Sequence, residues 1–237
     1  MTSFAYLIEP PFNYRAVDGS LTGCDVELAR TVLQAAGLPP FQAVETTFAQ
    51  LLPGLAAGRW QMTTGLFITE QRRRLVNFSR PIWALADGLL VAQGNPLALD
   101  GYRSIARNPH CRLAVVRDQI QQRTALEDFA IPTTRIQVYD SYAEAAQAVL
   151  DARADAYASV ARAHTAFAEQ NPAAQIETVV VTTTEKPPAF GAFAFAKHDD
   201  ALRQGVDAVL DRLLGSTEHR LLLKRFGFTD QEIDLVV

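Results

Sequence analysis

The stretch Gly65-Leu66-Phe67-Ile68-Thr69-Glu70-Gln71-Arg72 marks the point where a predicted strand gives way to a predicted helix. Gln61–Thr64, directly before it, has the pattern of a short strand. Thr69 can cap the helix, and Glu70 places a negative charge in the first turn, where the helix dipole favours it. Such strand-to-helix junctions are the units from which α/β sheets are built.

The segments before this junction follow the same alternation. Phe4–Ile8 and Phe41–Val44 are predicted strands. Asp25–Ala36 has apolar residues at helical spacing, and a second helix is predicted to begin after a Thr47 cap. Pro53 lies beyond the first turn of that helix, so we expect a bend there. Strands and helices alternating at this pitch indicate right-handed crossovers and a parallel sheet.

The alternation is repeated in the remainder of the chain. Ser141-Tyr142-Ala143-Glu144 is a capping box that predicts the start of a helix. The segments Asp87-Gly88 and Lys186–Gly191 have the composition of connectors and enclose an α/β block of about 100 residues. The other predicted elements are the strands Leu113–Val116, Ile136–Tyr139, Ala156–Val160, Val179–Thr182 and Gly191–Ala196, a helix through Phe129, and the helices Ala161–Gln170, Leu202–Leu213 and Ser216–Phe226.

Composition argues against several classes of function. The 237 residues carry a formal net charge of −4 with a pI of about 5.6, so the basic face of a nucleic-acid-binding protein is not expected. An apolar run of about 18 residues, as in a membrane-spanning helix, is absent. Two cysteines are too few for a disulfide scaffold, and the four histidines lack metal-ligand spacing, so we expect neither a metal nor a cofactor. Phosphate-binding glycine loops and the Gly-x-Ser-x-Gly elbow of hydrolases are also missing.

Several stretches resemble the periplasmic solute-binding proteins that serve ABC transporters for polar amino acids, the bacterial extracellular solute-binding proteins of family 3. Glu9-Pro10-Pro11-Phe12 followed by Asp18–Ala29 is similar to a Pro-Pro-Phe-like turn and a Thr-Gly-aromatic-Asp-x-Asp/Glu-Leu-Ala stretch. Phe48–Leu55 is similar to aromatic-x-x-Leu-x-Pro-x-Leu, a pattern that tolerates the proline. The opening junction with Asn77–Pro81 is similar to Gly-x-x-Ile-Thr-x-x-Arg and Phe-Ser-x-Pro, and Ala154–Tyr157 to an Asp-Ala strand.

The resemblance implies an α/β fold of the bilobal type II periplasmic-binding-protein class, with two parallel or mixed sheets flanked by helices. Lobe 1 would comprise residues 1–87 and 192–237, and lobe 2 residues 88–191, with hinge segments at about 85–90 and 188–193. It implies a monomer that closes around a small polar solute, amino-acid-like or another small carboxylate or amine. The implied partners are that solute and an ABC transporter permease, with no nucleic acid.

The chemistry of an amino acid selects Arg72 as the main candidate for ligand binding. A buried carboxylate needs a positive partner or several N–H donors, and the planar fork of an arginine matches it in bidentate geometry. Arg72 also occupies the arginine position of the resembled motif. Its neighbours Arg73 and Arg74 are expected on the surface.

Three further candidates match positions at which the family contacts its ligand, and the resemblance implies the same contacts here. Thr64 and Gly65 stand where the family offers backbone groups to the ligand, and Gly65 has no side chain to prevent close approach. Ordinary packing at a strand end is the alternative for both. Phe48 matches an aromatic that stacks on the ligand, with core packing beside Leu51 as its alternative.

Other positions depart from the family pattern. Glu9 stands where the family often has an aromatic residue, and Phe67 where it often has a serine or threonine that contacts the ammonium. Asp118-Gln119-Ile120 replaces a Gly-Ser-Thr helix start whose N–H groups hold the carboxylate; Asp118 is expected to cap its own helix and to oppose a bound anion. Val160 replaces the aspartate that holds the ammonium.

These departures leave two hypotheses open. A buried ammonium without an acid partner is costly, so either Glu9 supplies the missing charge or the ligand is not a standard α-amino acid. The apolar and aromatic positions predict a more hydrophobic pocket than that of binders of basic or acidic amino acids. The candidate ligand-binding residues are Glu9, Phe48, Thr64, Gly65, Phe67, Arg72, Gln119, Ile120, Tyr157 and Val160.

Two alternatives to a transport role share the fold. The first is an enzyme resembling the cyclohexadienyl dehydratases, which needs a general acid, for which Glu9 and Asp118 are the candidates. The second is a ligand-sensing module acting through a separate partner. We expect no catalytic residues and no enzyme activity.

The family is periplasmic, but Met1-Thr2-Ser3 leads straight into a predicted strand without an export signal, so a cytoplasmic location stays open.

Overall fold

The structure is a computed structural model that describes residues 2–237. The chain divides into two compact units. Unit 1 comprises the residues up to Ala84 together with Ala189–Val237, and unit 2 comprises Leu85–Pro188. The predicted lobe boundaries, after residues 87 and 191, each lie three residues further along the chain than these. The closing motion expected of the hinge segments stays a prediction.

The described residues form alternating short strands and helices. The strands are β1 Ser3–Tyr6, β2 Tyr14–Arg15, β3 Leu21–Thr22, β4 Gln42–Glu45, β5 Met62–Phe67, β6 Asn77–Phe78, β7 Trp83–Leu85, β8 Asp87–Ala92, β9 Leu113–Val116, β10 Ile136–Tyr139, β11 Ala156–Val160, β12 Ile176–Val180 and β13 Ala189–Phe195. The helices are α1 Cys24–Ala35, α2 Phe48–Ala56, α3 Glu70–Leu75, α4 Tyr102–Arg107, α5 Ile120–Arg123, α6 Tyr142–Leu150, α7 Ala161–Gln170, α8 Asp200–Leu213, α9 Thr217–Lys224 and α10 Asp230–Asp234. Within residues 2–237, no helix combines the length and the apolar character needed to cross a bilayer.

Unit 1 is built on a mixed sheet in the order β4-β1-β5-β13-β6, and β7 also pairs with β13. β1 is parallel to β4 and β5, as the strand–helix alternation predicts. β13, which the chain reaches after unit 2, lies antiparallel beside β5 and places Gly191 opposite Phe67. Buried apolar residues of α2 and β13, among them Leu51, Leu55 and Ala192, form part of the core. The sheet thereby fixes the carboxyl end of β5, where the candidates Thr64, Gly65 and Phe67 lie.

Unit 2 has a five-stranded sheet in the order β10-β9-β11-β8-β12. β9 is parallel to β10 and β11, whereas β8 is antiparallel to β11 and β12. Successive side chains of β11 point to opposite faces of the sheet, and both faces are buried. Ala156 and Ala158 pack into the core with Leu89 and Leu113, and Tyr157 points to the opposite face. The predicted mixed α/β architecture is confirmed.

Several local predictions are confirmed and several are wrong. The Ser141 capping box is present, with the Glu144 N–H donating to the Ser141 hydroxyl over 3.2 Å and the Ser141 N–H donating to the Glu144 carboxylate over 3.1 Å. Thr47 occupies the cap position of α2 but its side chain makes no capping bond. The predicted helix through Phe129 is instead the short α5 followed by a π-helical turn, and the predicted connector at Asp87 begins strand β8.

Two histidines, His164 and His219, lie in the interior of the protein. His164 of α7 is fully buried, and its Nδ1 lies 2.8 Å from the Tyr142 hydroxyl. Burial lowers the pKa of His164 to about 3, because the charged imidazolium would lose its hydration. Burial likewise lowers the pKa of His219 to about 4, with Arg220 adding a smaller effect. Both rings are therefore neutral in the folded protein at neutral pH.

We predict that the protein loses stability when the pH falls from 7 to 5. In the unfolded chain a histidine binds a proton near pH 6.5, whereas folded His164 does not until about pH 3, so acid favours the unfolded state. The expected loss is on the order of 1–2 kcal/mol per buried histidine, measured by urea unfolding at both pH values. His164→Gln should reduce this dependence and His198→Gln, at an exposed position, should not. An unchanged pH dependence in His164→Gln would contradict the account.

Candidate functional site

The turn that carries Glu9 is fixed against the start of α1. The Glu9 carbonyl accepts the N–H groups of Phe12 (2.9 Å) and Asn13 (3.1 Å), and the Phe12 carbonyl accepts the Asp25 N–H (3.1 Å). A Cβ atom at Gly23 would lie 2.1 Å from the Phe12 oxygen, so only glycine permits this contact. The candidate Glu9 is buried, and its backbone position is set by α1.

Asp25 gathers the surrounding polar groups of unit 1. Its Oδ2 accepts the Thr64 hydroxyl over 2.5 Å and the Gly65 N–H over 2.8 Å, and its Oδ1 accepts the Trp83 indole N–H over 3.1 Å. The Thr64 oxygen in turn accepts the Asn13 side-chain amide over 2.8 Å. Burial raises the pKa of Asp25, while these hydrogen bonds oppose that rise by stabilising the carboxylate.

This network changes what the two strand-end candidates can offer. The Thr64 hydroxyl is already engaged by Asn13 and Asp25, and the Gly65 N–H by Asp25. We predicted that Gly65 has no side chain because a ligand must approach it closely. The structure gives a different physical reason for a glycine at this position. A Cβ atom at Gly65 would lie 2.7 Å from the Trp83 ring, so the indole occupies that space.

Arg72 is folded back onto the end of β5. The Thr69 hydroxyl accepts the Arg72 N–H over 3.2 Å, which confirms the predicted cap of α3. The Arg72 guanidinium donates to the Phe67 carbonyl over 3.0 Å and lies over the Phe48 ring, 5.2 Å from its centroid. Only 8% of Arg72 is exposed, whereas Arg73 is at the surface. The charge thus lies in an aromatic setting with little contact with bulk water.

The remaining aromatic candidate of unit 1 belongs to a cluster of rings. Phe67 packs edge-on against Trp83, with centroids 5.2 Å apart and planes at 89°. Trp83 also packs against Phe12, with centroids 5.6 Å apart. Phe48 is partly buried beside Leu51 and Leu55, so its predicted core packing is present together with its contact to Arg72.

In unit 2, two candidates lie at the start of α5. Gln119 is buried and occupies the N-cap position, and Ile120, the first helical residue, is partly buried. The prediction that Asp118 caps this helix is wrong: Asp118 precedes the cap, is exposed and has a φ of 62°, and its N–H donates to the Gln122 side chain over 2.9 Å. Asp118 therefore does not place its carboxylate at the N-cap.

The two β11 candidates differ in their surroundings. Val160 is the last residue of β11 and the N-cap residue of α7, and it lies opposite Asp87 in the antiparallel ladder. Tyr157 has no exposed surface, and its ring packs 5.1 Å from that of Tyr142 and 5.0 Å from that of His164. This packing makes Tyr157 part of the interior of unit 2, and its contact with a ligand stays a prediction.

A second buried acid supports the ligand-candidate segment of unit 2. Asp87 accepts the Gln121 side-chain amide over 2.9 Å and the Tyr102 hydroxyl over 2.6 Å, and it pairs with Lys186. Gln121 is two residues beyond Gln119, so this acid fixes the first turn of α5 to β8.

Sequence reasoning missed Asp25, Asn13 and Trp83. A signal was available for Asp25, because it lies between the apolar residues Cys24 and Val26 at the start of α1, and a carboxylate is buried only with partners. Trp83 offered none, since an aromatic in a strand is ordinarily a core residue.

Comparison with known proteins shows the family of the chain. The family model of the bacterial extracellular solute-binding proteins, family 3, matches residues 5–229. The chain belongs to this family. It is 31% identical over 231 residues to a probable amino-acid ABC transporter periplasmic-binding protein (y4tE) of Sinorhizobium fredii, covering 95% of this chain and 76% of the relative.

Other relatives of this solute-binding protein differ in the ligands that their names give. It is 27% identical over 235 residues to the arginine-binding protein ArgT of Corynebacterium glutamicum, covering 95% of this chain and 73% of the relative. The crystal structure of EhuB in complex with hydroxyectoine superimposes with a TM-score of 0.89 at 27% identity, covering 99% of this chain and 91% of the other. All three relatives are named as binding proteins or were crystallised with a bound ligand.

We predict that Thr64→Val destabilises unit 1 by about 1–3 kcal/mol, because it keeps the shape but leaves Asp25 and Asn13 each short of one buried hydrogen bond. Urea unfolding measures the change. Thr31→Val is the matched control, since the Thr31 hydroxyl bonds only to the carbonyl one turn earlier in α1, and it should cost less than about 0.5 kcal/mol. Equal losses in the two variants would contradict the assigned role of Thr64.

Proposed function

We propose that this member of the family is the solute-receiving component of an ABC-type uptake system, and that its ligand joins a carboxylate to a planar cation with delocalised charge. Cyclic amidinium carboxylates such as hydroxyectoine fit this description ahead of standard α-amino acids. The observation that carries the proposal is the buried Arg72 guanidinium between the Phe48 ring and the Phe67 carbonyl.

Arg72 supports the carboxylate half of the proposed ligand. The contact with Phe67 and the ring of Phe48 hold the guanidinium plane in one orientation, so little side-chain entropy remains to be lost on binding. A guanidinium fork held in this way is matched to a carboxylate, with two parallel hydrogen bonds. Low exposure strengthens each of these bonds, because water competes weakly there.

The other candidates support the cationic half. A compact ammonium is strongly hydrated and needs an acid when buried, whereas a delocalised cation is more weakly hydrated and stacks on aromatic faces. Unit 1 supplies the aromatic side chains Phe48 and Phe67 and one acid, Glu9. Val160 in unit 2 supplies no charge where the resembled family has an aspartate. A cation with spread charge fits the aromatic side chains of unit 1 better than an α-ammonium does.

One of the relatives reported above supports the same choice. EhuB was crystallised with hydroxyectoine, whose amidinium charge is shared by two ring nitrogens and which has a carboxylate but no ammonium. Arginine, the ligand that names ArgT, has a delocalised guanidinium but also an α-ammonium. The family places its members outside the cytoplasm, so we propose a periplasmic or extracellular location and a membrane permease as partner.

We predict that hydroxyectoine raises the melting temperature and that Arg72→Ala abolishes this shift. At about 100 times its Kd a ligand stabilises the folded state by roughly 2.7 kcal/mol, which a thermal-shift assay resolves. Arg72→Lys keeps the charge but loses the bidentate fork, and should retain only part of the shift.

Arg73→Ala is the matched control, because it removes an exposed arginine from the same helix. Its thermal shift with hydroxyectoine should equal that of the wild-type protein. A shift preserved in Arg72→Ala would show that the carboxylate anchor is misassigned. A shift with L-arginine but none with hydroxyectoine would overturn the proposed ligand class while leaving the transport role in place.

We also propose that binding is not followed by a reaction. Of the two acids considered for general-acid catalysis, Asp118 is exposed beside α5 and Glu9 is held in a turn of unit 1. Incubation with prephenate or arogenate, followed by absorbance of an aromatic product, should show no turnover above that of a Glu9→Gln variant. Product formation by the wild-type protein but not by Glu9→Gln would contradict the proposal that binding is not followed by a reaction.

A further inference from the structure

We infer that Trp83 is a specificity-determining residue of the solute site: Asp25 and two glycines hold its indole in one place, and the indole sets the position of Phe67. This inference rests on the proposed function, because Phe67 matters only if it forms a wall of the binding site. Trp83 itself acts through Phe67 and is therefore a positioning residue.

The indole is held at its polar edge by a buried acceptor. The Trp83 N–H donates to Asp25 Oδ1 over 3.1 Å, and both residues are at most 5% exposed. The other oxygen of Asp25 is bound to Thr64 and Gly65 at the end of β5. One carboxylate thus ties the indole to the strand that carries the candidate residues.

Two glycines, Gly65 and Gly191, leave the space that the indole ring occupies. A Cβ atom would lie 2.7 Å from the Trp83 ring at Gly65 and 1.9 Å from it at Gly191. Gly65 and Phe67 lie on the same face of β5, and Gly191 is opposite Phe67 in the ladder. The two glycines therefore leave a ring-shaped space directly beside Phe67, and Trp83 fills it.

The filled space fixes the angle of the Phe67 ring. Its plane stands at 89° to the indole with centroids 5.2 Å apart, the edge-to-face geometry that aromatic pairs favour. A rigid, ring-shaped cation cannot adjust to a displaced wall, whereas a flexible chain such as that of arginine can. Trp83 should therefore influence the affinity for a rigid planar ligand more than the affinity for a flexible one.

Two matched substitutions test this inference. Trp83→Phe keeps an aromatic ring but removes the indole N–H and part of its area. Trp60→Phe makes the same change in a buried tryptophan of unit 1 whose N–H donates to the Leu51 carbonyl over 2.9 Å and not to Asp25. Isothermal titration calorimetry measures the Kd of hydroxyectoine and of L-arginine for the wild-type protein and for both variants.

The expected result is that Trp83→Phe weakens hydroxyectoine binding about tenfold and lowers the hydroxyectoine-to-arginine affinity ratio by a similar factor. Trp60→Phe should leave the ratio unchanged even if it lowers stability. In Trp60→Phe, whose only tryptophan is Trp83, hydroxyectoine should also shift the tryptophan emission, with half-saturation at the calorimetric Kd.

The outcomes separate this inference from the function on which it rests. An unchanged ratio in Trp83→Phe with normal wild-type binding overturns the role of Trp83 alone. If Trp83→Phe does not fold, the emission experiment decides: a ligand that binds without changing Trp83 emission overturns the inference. If the wild-type protein binds neither probe, the proposed ligand class and this inference both fail.

Discussion

The chemistry of the candidate site depends on one guanidinium, that of Arg72, which is largely withdrawn from water. Arg72 keeps its charge at any pH a protein survives, so the site always presents a cation. Its orientation is determined by two neighbours close in sequence, the Thr69 cap that starts α3 and the Phe67 carbonyl, and by the Phe48 ring of α2. The strand-to-helix junction at residues 65–72 therefore holds Arg72 in a buried position at the end of β5, and the anion-binding half of the proposed site lies here.

That support is organised by Asp25. The buried Asp25 carboxylate is tolerated because it accepts hydrogen bonds from Thr64, Gly65 and Trp83. None of these three donors belongs to α1, the helix that carries Asp25. The arrangement joins α1, the end of β5 and the start of β7 through one side chain. The Thr64 hydroxyl and the Gly65 N–H are thereby engaged in holding the end of β5, and the contacts with the ligand are proposed for Arg72 and the aromatic side chains instead.

Much of the fold was predictable because it is encoded locally. Leu113–Val116, Ile136–Tyr139, Ala156–Val160 and the Ser141 capping box are as predicted, since alternation and capping chemistry depend on adjacent residues. The burial of Arg72 was also predictable from its motif. The position of the Trp83 indole was not predictable. The space that it fills forms only where Gly65 and Gly191, which are distant in sequence, come together. The surroundings of Tyr157 were not predictable for the same reason: the rings packed against it lie on α6 and α7.

The most direct test of the central claim is a double-mutant cycle between Arg72 and the ligand carboxylate. Calorimetry would compare hydroxyectoine with its carboxamide, in the wild-type protein and in Arg72→Ala. If the guanidinium grips the carboxylate, the two losses are not additive, and the coupling is about 1.5–3 kcal/mol, as for a charged hydrogen bond. A coupling near zero, with hydroxyectoine still preferred over the carboxamide in Arg72→Ala, would place the carboxylate elsewhere and contradict the account.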